Sequence, residues 1–512
     1  MKRVLLCGLI LSMAFSGPAL ARKRPKKVKR PPAVVEAPQA PAPPVDPEAW
    51  RAQPPKPGPV PDWTPPAAQV LTLSNGIPVY YAENPSLPLV TIALVMGVGR
   101  EANPTGDAGL AALTANLLDE GTRSLTAEEI AAQAELLGAD LWSVAGDETS
   151  VVSLNALTGE TLAPTLDLYA DVILRPAFEK KVFKRVQSET LGVLADARSD
   201  PGDVARRTFL RQIWGENHPY SRPAIGDEAS IQGLKVGDVR RFYGKWWHAG
   251  NAAFVVSGAL KAEEVKSMLD ARFGAWQGGG ASRVAVPAPS VPLQTRVLFV
   301  EQPGSVQSMV RIGTPAMARS APEFAAAETA GTLVGGMFSS PLNMNLREEH
   351  GWSYGAYGAF SSSRDFGMFV ANASVQADKT APAVVEMLKE LGRAAATPPT
   401  IEALTVARDY QLKALPSDFE TNADVVNQFA MIPRYGLKPD GWQTYVRNVT
   451  SLTPTRVGEL AQQYLDPRHM LVVVVGPRAA EGEDGKGGKT TVDVPASLRT
   501  LGYEVVEVPP SE

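Results

Sequence analysis

The chain has 512 residues, too many for one ordinary domain, and its 44% apolar and 20% charged residues are typical of a globular protein with a proper core. The first 30 positions contain nine basic residues and no acidic one. Because the whole chain has a formal net charge of −4, removing these nine positive charges leaves −13 on residues 31–512. A body this acidic repels nucleic acid, so nucleic-acid binding is excluded as a main function.

The first 21 residues have the pattern of a secretory signal peptide. A basic start at Lys2 and Arg3 precedes an apolar run over residues 4–15, and Ala19-Leu20-Ala21 is a cleavage motif. The apolar run is too short to span a bilayer, and no later segment approaches the about 20 apolar residues that spanning needs. The only cysteine, Cys7, lies inside this signal, so we expect neither disulfides nor thiol chemistry in the mature protein. The pattern predicts an exported protein of a bacterial periplasm or cell envelope.

Residues 22–66 are about one-third proline, which predicts an extended tether without a packed core. The tether begins with seven basic side chains over residues 22–30. It is either a passive spacer or an arm that touches anionic lipid or cell-wall polymer. Membrane contact is expected only through this basic arm.

Ordered structure is expected from about residue 67. Asn75-Gly76 stands between two apolar runs, which is a strong signal for a two-residue β-hairpin. Leu110, Leu113 and Leu117 recur at the spacing of a core-facing helix. The same patterns predict further strands at 89–98 and 149–157 and further helices at 126–137 and 162–174.

Two pairs of segments recur at an offset of 218 residues. Ala163-Pro164 opens a helix after a strand, and so does Ala381-Pro382. The apolar strand that ends at Gly258 recurs as one that ends at Gly476. Two independent matches at one offset indicate a duplicated domain of about 200 residues.

Runs of strands and then helices within each copy predict an α+β fold of two tandem homologous domains. Each domain is expected to be a mostly antiparallel sheet with helices on one face, and the pair to form a clam-shell. The predicted boundaries are a signal peptide at 1–21, a Pro-rich basic linker at 22–66, a first domain at 67–277, a linker at 278–294, a second domain at 295–480 and a C-terminal tail at 481–512.

The segment from Gly109 to Thr122 resembles the pitrilysin/insulinase metallopeptidase superfamily, in particular its bacterial two-domain, processing-peptidase-like branch. Active members carry an inverted zinc motif, H-x-x-E-H, on a helix here, with two histidines as zinc ligands and the glutamate as general base. In this chain the histidine positions hold Ala112 and Asn116, and the glutamate position holds Ala115. The resemblance therefore implies no catalytic residue, no bound metal and no peptidase activity of the chain alone.

No other metal site is indicated by the sequence. The family's third ligand is a glutamate on a later helix, and Glu189 lies in the matching stretch without a clear alignment to that position. The four histidines have no acid and second histidine at ligand spacing, and are expected to be structural: His218, His248, His350 and His469.

A second resemblance lies in the second copy. Gly335 and Gly336 match the family's glycine-rich loop, and Arg347 and Tyr354 match an arginine–tyrosine pair that hydrogen-bonds substrate carbonyls near the scissile bond. Both side chains are donors suited to an oxygen that gains negative charge. Arg347 is expected in the last turn of a helix closed by Gly351. The plainer alternative is that Arg347 pairs with a neighbouring acid and Tyr354 only packs.

The resemblance thus implies a non-catalytic subunit of an exported heteromeric zinc endopeptidase. Its homologous partner would carry H-x-x-E-H and the zinc, and extended or unfolded peptides would be the substrates. The alternative is a peptide-binding or scaffold protein of the cell envelope with no role in hydrolysis. A third hypothesis, a hydrolase with another active site, is weak because there is no thiol in the mature chain and no G-x-S-x-G elbow after a strand.

Overall fold

Two six-stranded β-sheets, one from each copy of the repeat, are the framework of the computed structural model, which describes residues 51, 58–280, 283–483 and 488–509. Residues from Val60 onward belong to one compact unit. The predicted signal peptide at 1–21 and most of the Pro-rich linker lie outside the described residues. The predictions for those segments therefore stay predictions.

The strands of the first sheet are short and the central ones are almost fully buried. They are β1 Gln69–Thr72, β2 Pro78–Glu83, β3 Leu89–Met96, β4 Asp140–Ala145, β5 Ser150–Leu157 and β6 Ala252–Gly258. The second half supplies β7 Arg296–Glu301, β8 Gln307–Ala316, β9 Ser353–Ser362, β10 Gly367–Gln376, β11 Leu471–Gly476, β12 Ala479–Glu483, β13 Lys489–Asp493 and β14 Glu504–Glu507.

The first half contributes eight α-helices to the described part of the chain. They are α1 Leu110–Asn116, α2 Ala127–Leu136, α3 Leu162–Leu174, α4 Lys180–Ala197, α5 Pro201–Trp214, α6 Glu228–Gly233, α7 Val236–Trp246 and α8 Ala262–Phe273. Those of the second half are α9 Phe324–Gly331, α10 Pro341–Asn343, α11 Thr380–Ala396, α12 Ile401–Ala414, α13 Asn422–Tyr435, α14 Gly441–Thr450, α15 Pro454–Tyr464 and α16 Val494–Arg499. Two π-helical turns, Thr332–Gly336 and Met344–Glu349, flank α10.

The strand orders show that the second sheet repeats the first. The first sheet runs β1-β2-β6-β3-β5-β4 and the second β14-β7-β11-β8-β10-β9. In both sheets the last four strands of this order are antiparallel to their neighbours. The strand before them, β2 or β7, is parallel to the first of the four, β6 or β11. The equivalent strands β6 and β11 end at Gly258 and Gly476, the predicted offset. The predicted α+β class and the tandem duplication are confirmed.

One helix of each half crosses to the sheet of the other half. Helix α5 packs on β8 and β11 through Val204, Phe209 and their neighbours. Helix α13 packs on β3 and β6 through Val425 and Phe429. Helices therefore cover one face of each sheet from within its own half, as predicted, and part of the opposite face from the other half. This exchange buries apolar surface that would otherwise be exposed.

The tips of two equivalent hairpins also join the halves. Glu148, in the turn between β4 and β5, is fully buried. Its carboxylate accepts the Tyr220 hydroxyl and, at 2.8 and 3.0 Å, the backbone N–H of Arg364 in the turn between β9 and β10. Burial raises the pKa of Glu148 despite these bonds.

The segment predicted as a C-terminal tail contributes to the second half. Strand β14 pairs in parallel with β7, and α16 packs against α11 with Val494 and Leu498 in the core. The second sheet thus continues past residue 480. At the other end, Trp63 lies against Phe419 at 5.5 Å between ring centroids. Residues 278–280 and 283–294 contain neither helix nor strand.

Candidate functional site

Helix α1 carries the positions that match the degenerate zinc motif. Gly109 precedes it at φ +92°, where any Cβ would meet the carbonyl of Ile225, so the entry to this helix requires glycine. Ala112 and Ala115 are buried and Asn116 is exposed. The Ala115 carbonyl accepts the Ser143 hydroxyl of β4 at 2.5 Å. The helix is tightly fixed, but its side chains at these positions offer no acid, base or nucleophile.

The residues considered as metal ligands are engaged elsewhere. Glu189 pairs with Arg185 at 2.9 Å, and Arg185 also binds Glu120. His218 accepts the Tyr220 N–H at Nδ1 and its Nε2 lies 2.8 Å from the Pro287 carbonyl, while burial lowers its pKa. Among the described residues there is no group of three His, Cys, Asp or Glu side chains placed to hold a metal.

The other three histidines each contact another residue of the chain. His248 lies 3.2 Å from the Asn251 amide, and His350 stacks on Trp352 at 4.0 Å. His469 approaches the Leu293 carbonyl at 3.1 Å.

The glycine-rich loop begins in the first π-helical turn of the second half. Gly335 is buried against β9, where an added Cβ would lie 2.7 Å from the Cα of Gly358. Gly336 is more open, since its added Cβ would meet nothing closer than Thr332 at 3.4 Å. Close approach within the chain therefore accounts for Gly335, and its predicted role toward substrate stays a prediction.

Arg347 occupies the second π-helical turn, which ends before Gly351 at φ +65°. The side chain is 39% exposed, and its Nε lies 3.2 Å from Glu348. Its guanidinium carbon is 4.7 Å from the ring centroid of Phe338, an exposed residue of the glycine-rich loop. Arg347 therefore links the loop to the turn, an arrangement that the sequence pattern did not reveal.

Buried Asn343 fixes the loop on the strand that follows. Its amide donates to the Phe338 carbonyl at 2.7 Å, and its oxygen accepts the Ala356 N–H of β9 at 3.2 Å. Asn345 donates to Glu386 and Glu390, which anchors the Arg347 turn on α11. An asparagine gives no special signal in a single sequence, and only the contacts in the structure identify the roles of these two residues.

Tyr354 projects from β9, the outer edge strand of the second sheet, and is 90% exposed. Tyr357 on the same strand is 51% exposed, and its ring lies beside Gly355. Tyr354 has so little contact with the chain that packing does not explain it. Together with Arg347 it offers donors at an open surface of the second half.

The two motif regions belong to different cores. Helix α1 contributes to the core of the first half, whereas Leu342, Leu346 and Ala356 around the loop belong to the core of the second. The second half thus presents hydrogen-bond donors, and the first half presents no metal-binding side chains in the equivalent motif. Within the described segments, no helix has the length and apolar character needed to cross a bilayer.

Comparisons with known proteins match this arrangement. The family model described as insulinase (peptidase family M16) matches residues 78–228, and that described as peptidase M16 inactive domain matches residues 233–410. The two models together match more than half of the chain.

Relatives and solved structures agree with the family models. An uncharacterized zinc protease of Rickettsia bellii is 24% identical over 327 residues, which cover 64% of this chain and 78% of the relative. The non-peptidase homolog YmxG of Helicobacter pylori is 26% identical over 294 residues, covering 55% of this chain and 64% of that protein. The crystal structure of a peptidase M16 inactive domain from Pseudomonas fluorescens superimposes with a TM-score of 0.76 at 25% identity, covering 81% of this chain and 99% of that one.

The matches to an inactive domain and to a non-peptidase homolog support a non-catalytic member of the family. The fold, the strand order and both family models lead to one conclusion: the chain belongs to the insulinase (M16) peptidase family.

Proposed function

We propose that the chain is the non-catalytic subunit of an exported heteromeric zinc endopeptidase. A homologous subunit with an intact H-x-x-E-H motif supplies the zinc and the general base. This chain supplies Arg347, Tyr354 and part of the chamber wall to extended or unfolded peptides. The single observation that carries the proposal is that the second half exposes the Tyr354 phenol almost fully and the Arg347 guanidinium in part, in a chain without zinc ligands on α1.

The contacts of Arg347 leave it available for a substrate. Its partner Glu348 is 42% exposed, and an ion pair between exposed side chains contributes about 0–1 kcal/mol. Exchanging Glu348 for a peptide carbonyl therefore loses little free energy. The stacking on Phe338 keeps the guanidinium in place while its N–H groups remain free to donate. A donor held in this way stabilises the oxygen of a carbonyl as it becomes tetrahedral.

The phenol of Tyr354 complements this donor. It forms no hydrogen bond with another described residue, and it stands on the edge strand of the sheet. Extended peptides bind by adding to such edges, because main-chain hydrogen bonds supply affinity without reading much sequence. The edge strand β4 of the first sheet, with exposed Trp142 and Val144, offers a second edge of the same kind.

The proposed location rests on the first 21 residues, whose pattern is that of a secretory signal. Nothing in the described residues requires another compartment. The basic segment 22–30 is proposed as the only part that touches a membrane surface.

The test is to co-express the mature chain with its H-x-x-E-H-bearing homologue and measure hydrolysis of a quenched, unstructured peptide. Each protein is assayed alone and in the mixture, and then in a mixture carrying Arg347→Ala with Tyr354→Phe. We expect cleavage by the wild-type mixture and a loss of about 100-fold in kcat in the substituted mixture, the size expected for one oxyanion donor or more.

The matched control is Arg456→Ala with Tyr410→Phe, two side chains that are about half exposed on α15 and α12. This control should leave turnover unchanged. Assembly of each mixture is measured by size-exclusion chromatography, so that a loss of binding is separated from a loss of turnover. If the homologue cleaves equally well alone, or the Arg347/Tyr354 mixture is unimpaired, the chain is a peptide-binding or scaffold protein instead.

A further inference from the structure

Arg311 on β8 is a cation without an anionic partner. It forms no ion pair or hydrogen bond with any residue that the structure describes, and its Nε is buried. The guanidinium carbon lies 5.6 Å from the ring centroid of Phe209 on α5. Burial, and secondarily the nearby Arg206, lowers the pKa of Arg311 to about 10, and no carboxylate raises it. The side chain is therefore still charged at neutral pH.

Polar residues continue from Arg311 toward the open edge of the sheet. Arg311 is paired in register with Asn372 of β10, and Asn372 with Tyr357 of β9. Directly opposite residues of antiparallel strands lie on one face with Cβ atoms about 5 Å apart. The three side chains thus form one row across β8, β10 and β9. Helix α5 covers β8 and β11, and Tyr357 at the far end of the row is exposed.

The row ends at the proposed carbonyl-binding site. The Tyr357 ring lies beside Gly355, the residue next to Tyr354, and an added Cβ there would be 2.9 Å from the Tyr357 hydroxyl oxygen. A β-bulge in β9 sets both Tyr354 and Gly355 opposite the single residue Ser374 of β10, which keeps Tyr354 on the face of the row. A peptide that contacts Tyr354 at the edge of the sheet therefore has Tyr357, Asn372 and Arg311 further along the same face.

The duplicated fold shows that this position does not require a cation. The equivalent of Arg311 in the first sheet is Ala93, which is paired in register with Val255 as Arg311 is paired with Val473. Ala93 is buried against α13 in an apolar cluster. The same architecture is thus stable with a methyl group at this place, so the unpaired arginine of the second sheet needs another explanation.

We propose that Arg311, with Asn372 and Tyr357, binds a carboxylate of the peptide held at Tyr354. This inference rests on the proposed function and adds the substrate class, which is peptides with an acidic side chain or a free C-terminus near the cleavage point. A guanidinium matches a carboxylate through two parallel N–H groups, and the Asn372 amide and Tyr357 hydroxyl are further donors. Partial burial strengthens the attraction, because water screens it less.

The test measures the affinity of fluorescein-labelled unstructured peptides by anisotropy, with this chain alone and with the mixture of the two subunits in the presence of a zinc chelator, so that no peptide is cleaved during the titration. The peptides differ in two respects: one internal Glu against Gln, and a free against an amidated C-terminus. We expect a carboxylate-bearing peptide to bind about tenfold more tightly than its neutral counterpart, the gain typical of one charge-assisted contact. The peptide pair that shows the difference identifies the source of the carboxylate.

Arg311→Met removes the charge with little change in volume and should abolish the difference between acidic and neutral peptides. Arg311→Lys keeps the charge and should retain part of it. Arg456→Met, on α15 at the opposite side of the sheet, is the control and should change nothing. Circular dichroism of each variant shows whether it is folded, and Arg311→Gln, which also removes the charge, replaces Arg311→Met if the latter is not.

Equal binding of acidic and neutral peptides, unchanged discrimination in Arg311→Met, or no peptide binding at all overturns the proposal. Binding is read without catalysis, so the two proposals fail separately. A mixture that requires Arg347 and Tyr354 for cleavage but ignores peptide charge refutes only the carboxylate site. Charge-dependent binding by a chain that never contributes to cleavage refutes only the composite peptidase.

Discussion

Glu148 is the carboxylate that connects the hairpin tips of the two halves, and its removal should destabilise the whole chain. It is completely buried, and it accepts hydrogen bonds from the Tyr220 hydroxyl and the Arg364 backbone N–H. In Glu148→Ala both donors lose their acceptor inside the protein. Each unsatisfied buried donor costs about 1–3 kcal/mol, and the new cavity adds to this. The expected decrease in the free energy of unfolding is about 3–5 kcal/mol.

Glu148→Gln should cost much less, about 1 kcal/mol, although it removes the same charge. The glutamine carbonyl still accepts one of the two bonds. The raised pKa of Glu148 also shows that burial disfavours its ionised form, so replacing the carboxylate with a neutral amide removes a desolvation penalty and offsets part of the lost stability. The contrast between the two substitutions therefore separates the role of the acceptor from the role of the charge.

The assay is urea unfolding followed by tryptophan fluorescence, with Glu459→Ala as the control. Glu459 is 54% exposed and pairs with Arg456 at the surface, so its loss should change the free energy of unfolding by less than about 0.5 kcal/mol. A double-mutant cycle with Tyr220→Phe should give a coupling of about 1 kcal/mol. If Glu148→Ala costs no more than Glu459→Ala, or the cycle is additive, Glu148 does not join the halves energetically.

Three further predictions concern stability and the loop. Burial raises the pKa of Glu101 from 4.5 to about 8, so the folded state binds the proton more tightly than the unfolded state, and the free energy of unfolding should fall as pH rises from about 4.5 to about 8. Glu101→Gln should remove this loss, which is up to about 4 kcal/mol, and urea titrations at pH 5 and pH 8.5 measure it. Gly335→Ala should destabilise the fold by about 2–3 kcal/mol, because the new Cβ meets the backbone of Gly358, whereas Gly336→Ala should destabilise it by under about 1 kcal/mol. Equal losses of thermal stability in the two variants would contradict the contacts that we describe. Asn343→Ala should lower the free energy of unfolding by about 2–3 kcal/mol and lower the turnover of the mixture, because it releases the loop that carries Phe338. Thermal unfolding and the quenched-peptide assay measure the two effects, and a variant with normal values for both would contradict this role.

The site was accessible from the sequence only in part. Arg347 and Tyr354 were identified through a resemblance of spacing, and the structure places them on a π-helical turn and an edge strand, where they are partly and fully accessible. Phe338 and Asn343 were missed, because their roles depend on contacts with residues that the sequence pattern does not pair with them. The structure also gives Gly335 a packing partner in β9 that no local pattern reports.

The sequence by itself determined the local elements, the duplication and the family. Hairpin turns, helix spacing and a 218-residue repeat depend on residues close in the chain or on comparison of two segments, so they can be recognised without coordinates. Only the tertiary structure decided which helix covers which sheet, that β14 joins the second sheet, and that Arg311, Asn372 and Tyr357 share one row. These features depend on strand order and register between residues that are 15 to more than 200 positions apart. Such pairings follow from the burial of apolar surface over the whole molecule, and local periodicity does not specify them.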